Sequence, residues 1–121
     1  MAYLLNLKTF SDPRGHLTVV EKVIPFDIKR IFYIYGVDDS VRGGHRHKKT
    51  VQAAFCIKGS CVIFNDDGEK KEEFLLDSPE KCLILECKDW HQMHSFTEDA
   101  ILMVLASEHY EQSDYIYEKY D

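Results

Sequence analysis

Short runs rich in Val, Ile, Phe and Tyr recur along this chain, separated by Gly, Pro, Asp and Asn, and this rhythm most constrains its fold. It is typical of many short β-strands rather than of helices. Gly59-Ser60 can turn the chain tightly, and Asn65-Asp66-Asp67-Gly68 supplies turn residues that tolerate positive φ. The predicted strands cover residues 3–7, 17–21, 30–37, 50–57, 61–65, 72–76, 81–86, 92–96 and 101–106. So many short strands predict an all-β jelly roll or small barrel.

The segment 107–121 is acidic and aromatic, and its pattern fits either a turn of helix or an outer strand. The whole chain has 121 residues, 45% of them apolar, which predicts one domain over residues 1–121. No apolar stretch approaches the roughly 20 residues that span a bilayer. The N-terminus also lacks the features of a secretory signal. We therefore expect a cytoplasmic protein without a membrane segment.

Charge is distributed unevenly in this acidic chain. A net charge of −6 and a pI near 5.5 argue against binding a nucleic-acid polymer, which requires a basic surface. Binding of a single nucleotide remains compatible with this net charge. Arg42, Arg46, Lys48 and Lys49 form a basic cluster, which is either a site for a small anion or a solvated edge.

Four cysteines form two pairs, Cys56 with Cys61 and Cys82 with Cys87, each with four residues between. That spacing lies within the loose range of zinc-ligand pairs. Each cysteine, however, lies in an apolar, strand-like run, whereas zinc ligands usually lie on Gly-rich turns. We interpret them as buried thiols, and a cytoplasmic location argues against disulfides.

His45 and His47 are two residues apart, so in an extended segment both side chains point to the same face. If the strand runs on without a bulge, that face continues through alternate residues from Lys49 to Ile57 and is the more apolar one. Both histidines would then point into the barrel. Two inward histidines beside an arginine and two glycines indicate a functional site rather than structural histidines.

The spacing after His47 adds a second signal: four residues, then Gln52, then six residues and Gly59. This spacing resembles the first motif of the cupins. In metal-binding cupins the position of Gln52 is typically a glutamate, which binds a divalent ion together with histidines. Gln52 is a neutral, weaker ligand, although His91 or His94 could still supply a third imidazole. We therefore expect no metal and no cofactor, and interpret the paired histidines as acids and bases.

Four segments extend the resemblance, in order, over almost the whole chain: residues 24–34, 42–49, 90–94 and 105–116. They look like those of the sugar 3,4-ketoisomerases. The resemblance implies a metal-free cupin jelly roll, a homodimer that exchanges N-terminal strands, and a dTDP-linked 4-keto-6-deoxy sugar bound in the barrel. It also implies conversion of dTDP-4-keto-6-deoxyglucose to a 3-keto sugar that supplies 3-amino-3,6-dideoxyhexoses for surface polysaccharides.

Carried over by motif, the resemblance assigns His45 and His47 as the catalytic pair, with Tyr33 lining the sugar site. Arg42 is expected to contact the substrate or its pyrophosphate. The chemistry needs such groups, because a ketone on carbon 4 acidifies the hydrogen on carbon 3. Its removal gives an enediolate, and a proton returned to carbon 4 leaves the ketone on carbon 3. Histidine suits both transfers, since its pKa lies near 6.5.

Product stereochemistry depends on the face from which carbon 4 is reprotonated. Arg14 and His94 resemble the galacto-forming branch of the family, whereas Tyr and Arg at these positions would resemble the gluco-forming branch. We therefore favour a galacto product. Trp90 either stacks on the thymine or fills the barrel mouth.

Three alternatives remain open at the level of sequence. A cupin 3,5-epimerase of the same sugar also abstracts a proton beside a ketone, but typically pairs one histidine with an aspartate and a distant tyrosine. A metal-dependent cupin dioxygenase or isomerase would need a metal ion at the histidines. A non-catalytic sugar-binding cupin would use the basic rim and the barrel to bind a ligand and regulate a partner.

Overall fold

A computed structural model describes residues 1–121 and is almost entirely β. The only helical element is a 3₁₀ turn over Gln112–Asp114, and no helix is long and apolar enough to cross a membrane. The strands are β1 (Tyr3–Asn6), β2 (Lys8–Asp12), β3 (Gly15–Val19), β4 (Arg30–Ile34), β5 (Arg42–His47), β6 (Gln52–Lys58), β7 (Cys61–Asp66), β8 (Lys71–Leu76), β9 (Lys81–Leu85), β10 (Trp90–His94), β11 (Ile101–Ala106) and β12 (Tyr115–Ile116).

Ten of these strands form two antiparallel five-stranded sheets, which we call sheet I and sheet II. Sheet I has the order β1-β9-β6-β11-β4, and sheet II has the order β12-β5-β10-β7-β8. Apolar side chains from both sheets, such as Leu102 and Val104 of β11 and Ile63 of β7, share one fully buried core. The sheets therefore pack face to face, which confirms the all-β, jelly-roll prediction.

The opposite face of sheet I carries a second buried cluster. Phe55, Ile84 and Leu105 lie there under Ile24 and Phe26, which precede β4. Sheet I is thus covered on both faces over its central strands, which explains why β9 and β11 read as nearly continuous apolar runs. Cys56, Cys61 and Cys82 are fully buried in these two clusters, so the interpretation of buried thiols is confirmed for these three.

The β5–β6 connection changes which residues point inward. β5 ends at His47 and β6 begins only at Gln52, so the strand does not run on as the simple alternation required. Gln52 lines the same cavity as His45, and Ala54 belongs to the core between the sheets, whereas Ala53 and Phe55 lie in the outer cluster. The expected inward face through residues 49–57 is therefore wrong beyond His47, because the four-residue connection shifts the alternation by one residue.

The strands β2 and β3 form a hairpin that is hydrogen-bonded to neither large sheet. Phe10 and Leu17 are cross-strand partners in this hairpin, and both are more than half exposed. Two large apolar side chains thus share one solvent-facing surface of the hairpin. An isolated two-stranded hairpin is marginally stable in water, so this element depends on contacts beyond its own two strands.

Candidate active site

A cavity of about 320 Å³ lies between the two sheets. Its walls come from β4, β5, β6, β10 and β12, so residues that are distant in sequence converge on it. The polar residues that line it are Arg30, Tyr33, Arg42, His45, Gln52, His91 and Tyr115. A concave site with a few convergent polar groups on an apolar wall has the form of a small-molecule binding site.

Three imidazoles and one phenol form the centre of this site. The ring of His45 lies 5.1 Å from the rings of both His47 and His91, between centroids. The Tyr115 ring lies 4.7 Å from the His45 and His47 rings. Strand alternation places both β5 histidines on the inner face, and His91 of β10 is the direct cross-strand partner of His45.

Gly43 allows β5 to approach β10 closely at this point. Its φ is +85°, and a Cβ atom on this residue would lie 3.0 Å from the carbonyl oxygen of His91. Any larger residue would therefore be strained by its backbone conformation and would press on the neighbouring strand. The glycine next to the histidine pair thus helps to hold β5 against β10.

A buried carboxylate fixes the orientation of His47. The Asp114 Oδ2 atom lies 2.8 Å from His47 Nδ1 and also accepts a hydrogen bond from the Thr50 hydroxyl. Its Oδ1 atom accepts hydrogen bonds from the backbone N–H groups of Lys48 and Lys49. These bonds lower the pKa of Asp114 despite its burial, so it is ionised and accepts a hydrogen bond from the Nδ1–H group of His47. The free electron pair of His47 is then on Nε2.

The same reasoning assigns the tautomer of His91. Its Nδ1 atom lies 3.0 Å from the backbone carbonyl oxygen of Asp89, which can only accept a hydrogen bond. Nδ1 therefore carries the hydrogen, and Nε2 carries the electron pair. The Nε2 atoms of His47 and His91 are buried and have no hydrogen-bond partner within the protein, and the same is true of Gln52 Oε1.

Burial keeps the imidazoles neutral. It lowers the pKa of His45 to about 4, helped by repulsion from His47, and the pKa of His91 to about 3. Burial also lowers the pKa of His47, although the hydrogen bond to Asp114 opposes this. A neutral imidazole at pH 7 is able to accept a proton, which is the requirement for a general base.

Two arginines bring positive charge to the cavity. Arg30 stacks between aromatic rings, with its guanidinium carbon 4.7 Å from the Phe32 ring and 5.2 Å from the Tyr110 ring. Neither Arg30 nor Arg42 forms a salt bridge with any carboxylate of the chain. Their charge is thus available to an anionic group, either in a ligand or in a reaction intermediate.

The structure brings together some predicted site residues and separates others. His45 and Arg42 line the cavity, and the His47 ring packs edge-on against the His45 ring. Tyr33 of β4 also borders the cavity, but its side chain is 59% exposed and stacks on Tyr35. Because Phe32 and Ile34 point into the core, the alternation directs the Tyr33 side chain to the opposite face of sheet I.

Arg14 and His94 do not meet in a single chain. Arg14 lies at the tip of the β2–β3 hairpin, 90% exposed, and pairs with Asp12. His94 ends β10 and pairs with Glu73 of β8 at 2.7 Å, and it does not line the cavity. Inward positions of β10 are held by His91 and Met93, so His94 points to the other face of sheet II.

Trp90 and Lys48 also lie outside the cavity lining. Trp90 is only 3% exposed, and its indole N–H donates to the carbonyl oxygen of Tyr117 in the C-terminal segment. The indole thus packs between sheet II and that segment, outside the cavity lining. The side chain of Lys48 is exposed, and its contribution to the site is the backbone N–H that binds Asp114.

Sequence reasoning missed Asp114, Tyr115 and Arg30 as site residues, and it considered His91 only as a metal ligand. Asp114 is 67 positions from His47 and lies in a generally acidic segment, so no local pattern distinguishes it. Alternation along β10 would have placed His91 on the inner face with Met93, but the predicted strand began at Gln92, two residues after the observed start at Trp90.

Comparison with known proteins places the chain in a family. The family model described as "FdtA: WxcM-like, C-terminal" matches residues 2–121. A curated relative from Aneurinibacillus thermoaerophilus, a TDP-4-oxo-6-deoxy-alpha-D-glucose-3,4-oxoisomerase, is 44% identical over 116 residues. That match covers 93% of this chain and 84% of the relative.

Solved structures agree with this assignment. A 3,4-ketoisomerase from Helicobacter canadensis superimposes with a TM-score of 0.92 at 38% identity, over 97% of this chain and 90% of that one. A His-to-Asn mutant of the 3,4-ketoisomerase QdtA from Thermoanaerobacterium thermosaccharolyticum, in complex with TDP-4-keto-6-deoxyglucose, gives 0.92 at 41% identity, over 97% and 87%. A sugar 3'-monoepimerase from Streptomyces bikiniensis, 17% identical, shares the fold alone.

The fold, the histidine-lined cavity and these relatives together identify an isomerase of the cupin type, as predicted. More particularly, the chain belongs to the FdtA family, and its relatives are sugar 3,4-ketoisomerases.

Proposed function

We propose that this protein converts dTDP-4-keto-6-deoxy-D-glucose to a dTDP-3-keto-6-deoxyhexose, with the galacto configuration at carbon 4. The observation that carries the proposal is the neutral imidazole of His47, oriented by Asp114, with a buried and unpartnered Nε2 atom. The substrate assignment is supported by relatives whose names specify TDP-4-oxo- or TDP-4-keto-6-deoxyglucose. In this proposal the enzyme acts in the cytoplasm and supplies 3-amino-3,6-dideoxyhexose biosynthesis.

The first step is removal of the hydrogen on carbon 3 as a proton by His47 Nε2. The electron pair of the C3–H bond forms a C3–C4 double bond, and the carbonyl electrons move to the oxygen on carbon 4. Asp114 stabilises the resulting imidazolium, because an ionised carboxylate accepts the hydrogen bond from Nδ1. His45, whose ring touches those of His47 and His91, is the second catalytic imidazole.

The intermediate is an enediolate whose negative charge is shared between two oxygens. The hydroxyl proton on the carbon 3 oxygen must move to the carbon 4 oxygen, and the His47 imidazolium then returns a proton to carbon 4. These transfers leave the ketone on carbon 3 with no net change in protons or electrons. Arg30 and Arg42, which have no carboxylate partner, supply positive charge for the enediolate and the diphosphate.

A homodimer with exchanged N-terminal strands completes the proposal. It is supported by the hairpin, which stands apart from both sheets with Phe10 and Leu17 exposed. It is further supported by an apolar surface on sheet I, where Tyr33 and Tyr35 border a depression with Ile57. In the dimer, the hairpin of one protomer would present Arg14 to its partner, which gives Arg14 a route to influence reprotonation at carbon 4.

The test is incubation of the protein with dTDP-4-keto-6-deoxyglucose in deuterated water, followed by NMR. We expect a 3-keto product with the galacto configuration at carbon 4, and with deuterium there in the fraction of turnovers in which the His47 imidazolium exchanges its proton with solvent before returning it. A gluco product would refute the stereochemical part alone. Deuterium on carbon 5 would instead indicate a 3,5-epimerase, and the absence of any product would refute isomerase activity on this sugar.

A further inference from the structure

Two buried acceptor atoms in the cavity have no part in the proton transfers described above. They are Nε2 of His91 and Oε1 of Gln52, and neither has a hydrogen-bond partner within the protein. His91 is 1% exposed and Gln52 is 2% exposed, and both residues line the cavity between the sheets. Since buried polar atoms are nearly always paired in folded proteins, two unpaired acceptors in one cavity indicate a ligand with hydrogen-bond donors.

His91 is restricted to the role of an acceptor. Its Nδ1–H group is committed to the Asp89 carbonyl oxygen, which leaves only the electron pair on Nε2. Burial lowers the pKa of His91 to about 3, so the ring stays neutral around pH 7 and does not become a donor. A ligand carbonyl oxygen facing Nε2 would be repelled, because both atoms carry electron pairs. The group that binds here is therefore an O–H or N–H group.

The reaction itself indicates which sugar group fits such a fixed acceptor. The oxygen on carbon 3 begins as a hydroxyl and ends as a carbonyl, and the oxygen on carbon 4 changes in the opposite direction. A fixed acceptor facing either oxygen would lose its partner in one of the two end states. The hydroxyl group on carbon 2 is adjacent to the reacting carbon and remains a donor from substrate to product.

The spacing of the rings is compatible with this arrangement. The His47 and His91 rings are nearly parallel, with an interplanar angle of 26° and centroids 6.3 Å apart. A reacting carbon approaches its base to roughly 3–3.5 Å, and a hydroxyl donates over roughly 2.7–2.8 Å. A single sugar ring is therefore able to present carbon 3 to His47 and the neighbouring hydroxyl to His91.

We propose that the hydroxyl group on carbon 2 of the sugar donates its single hydrogen to an acceptor pair, shared between His91 Nε2 and Gln52 Oε1 as a three-centre hydrogen bond, and that this contact determines specificity. The inference rests on the proposed function for the identity of the ligand. It adds a selection that the isomerisation does not require, since the chemistry at carbons 3 and 4 never uses this hydroxyl. The enzyme would thus reject nucleotide-linked 2-deoxy sugars.

Binding measurements test this without depending on turnover. The two ligands are dTDP-quinovose, which has no ketone, and the same nucleotide sugar without the hydroxyl on carbon 2. By calorimetry we expect the 2-deoxy ligand to bind the unmodified protein about tenfold to a hundredfold more weakly, because it leaves buried acceptors unpaired. Equal affinities would overturn the inference and leave the proposed function intact.

Variants then identify the acceptors. In His91→Phe and Gln52→Leu, we expect the ratio between the two affinities to fall toward one, mainly through weaker binding of the hydroxylated ligand. His109→Gln, a substitution of an exposed histidine outside the cavity, serves as the matched control and should keep the full ratio. If His91→Phe fails to fold, the ratio of affinities measured for Gln52→Leu decides whether the inference holds. An unchanged ratio in the folded variants would overturn the inference. If the unmodified protein shows the expected ratio of affinities but no isomerase activity, the proposed function alone is refuted.

Discussion

At the scale of single residues, the chemistry of His47 depends on a carboxylate that approaches it from the far end of the chain. Asp114 is 4% exposed and binds one imidazole, one hydroxyl and two backbone N–H groups. With all of these donors pointing at it, the carboxylate has little freedom to rotate. The electron pair of His47 Nε2 is consequently held in one direction, which is what an efficient base requires.

We therefore expect Asp114→Asn to lower kcat/KM by roughly 10²-fold, within the range that a well-placed acid or base contributes. Asp114 raises the pKa of His47 against the effect of burial, so its neutralisation lowers that pKa. The acid limb of the pH profile of kcat/KM should then move to lower pH. Glu111→Gln, an exposed acid-to-amide change in the same segment, is the control. A lower rate with an unmoved acid limb would mean that Asp114 is only structural.

The buried histidines also predict how stability changes with pH. In the unfolded chain each histidine titrates near 6.5, whereas in the folded protein the pKa of His45 is about 4 and that of His91 about 3. Between these values the unfolded state binds more protons, so the free energy of unfolding decreases as pH falls below about 6.5. Urea unfolding at pH 7, 6 and 5 measures this slope. His91→Phe should have a smaller slope than the unmodified protein. Identical slopes in the two proteins would contradict a contribution of buried, neutral His91 to the pH dependence.

At the scale of elements, all nine predicted strands are present, eight of them in sheet I or sheet II, where their side chains pack on one or both faces, and β3 in the separate hairpin. Three strands were not predicted. β5, with the sequence Arg-Gly-Gly-His-Arg-His, contains no β-branched residue, and β2 belongs to an exposed hairpin. β12 has only two residues and pairs with β5, so the C-terminal segment contains both the helical turn and the outer strand that its pattern left open.

The turn between β6 and β7 contains Gly59, the last residue of the motif spacing that follows His47, and its effect on stability can be tested. Gly59 has a φ of +67°, and a Cβ atom there would lie 2.3 Å from Thr97 Oγ1 and 2.9 Å from the Cα atom of Ala100. We expect Gly59→Ala to reduce the free energy of unfolding by about 2–4 kcal/mol, through backbone strain and overpacking. Gly36 has a similar φ of +63° with open space around it, so Gly36→Ala isolates the strain at about 1–2 kcal/mol. Equal losses in urea unfolding would exclude the steric contribution.

At the scale of the whole molecule, the sequence predicted the local part of the site and missed the part made by topology. His45 and His47 were found because two residues on one strand share a face. His91 and Arg30 reach the cavity, and Asp114 reaches His47, only because β10, β4 and the turn before β12 converge around β5 and β6. Their convergence depends on strand order and on the shift at the β5–β6 connection, and neither follows from local alternation.

The proposed strand exchange makes the oligomeric state a test of the whole arrangement. Phe10 is 54% exposed and Leu17 is 60% exposed on one face of the hairpin, so burying them against a partner would remove apolar surface from water. We expect light scattering to give twice the chain mass of 14.2 kDa, and the double variant Phe10→Glu, Leu17→Glu to give the single mass. Phe10→Leu, which keeps the surface apolar, should remain a dimer. Because Arg14 lies on the same hairpin, the monomeric variant should also lose control of the configuration at carbon 4. A monomeric unmodified protein, or a double variant that remains dimeric, would contradict the exchange.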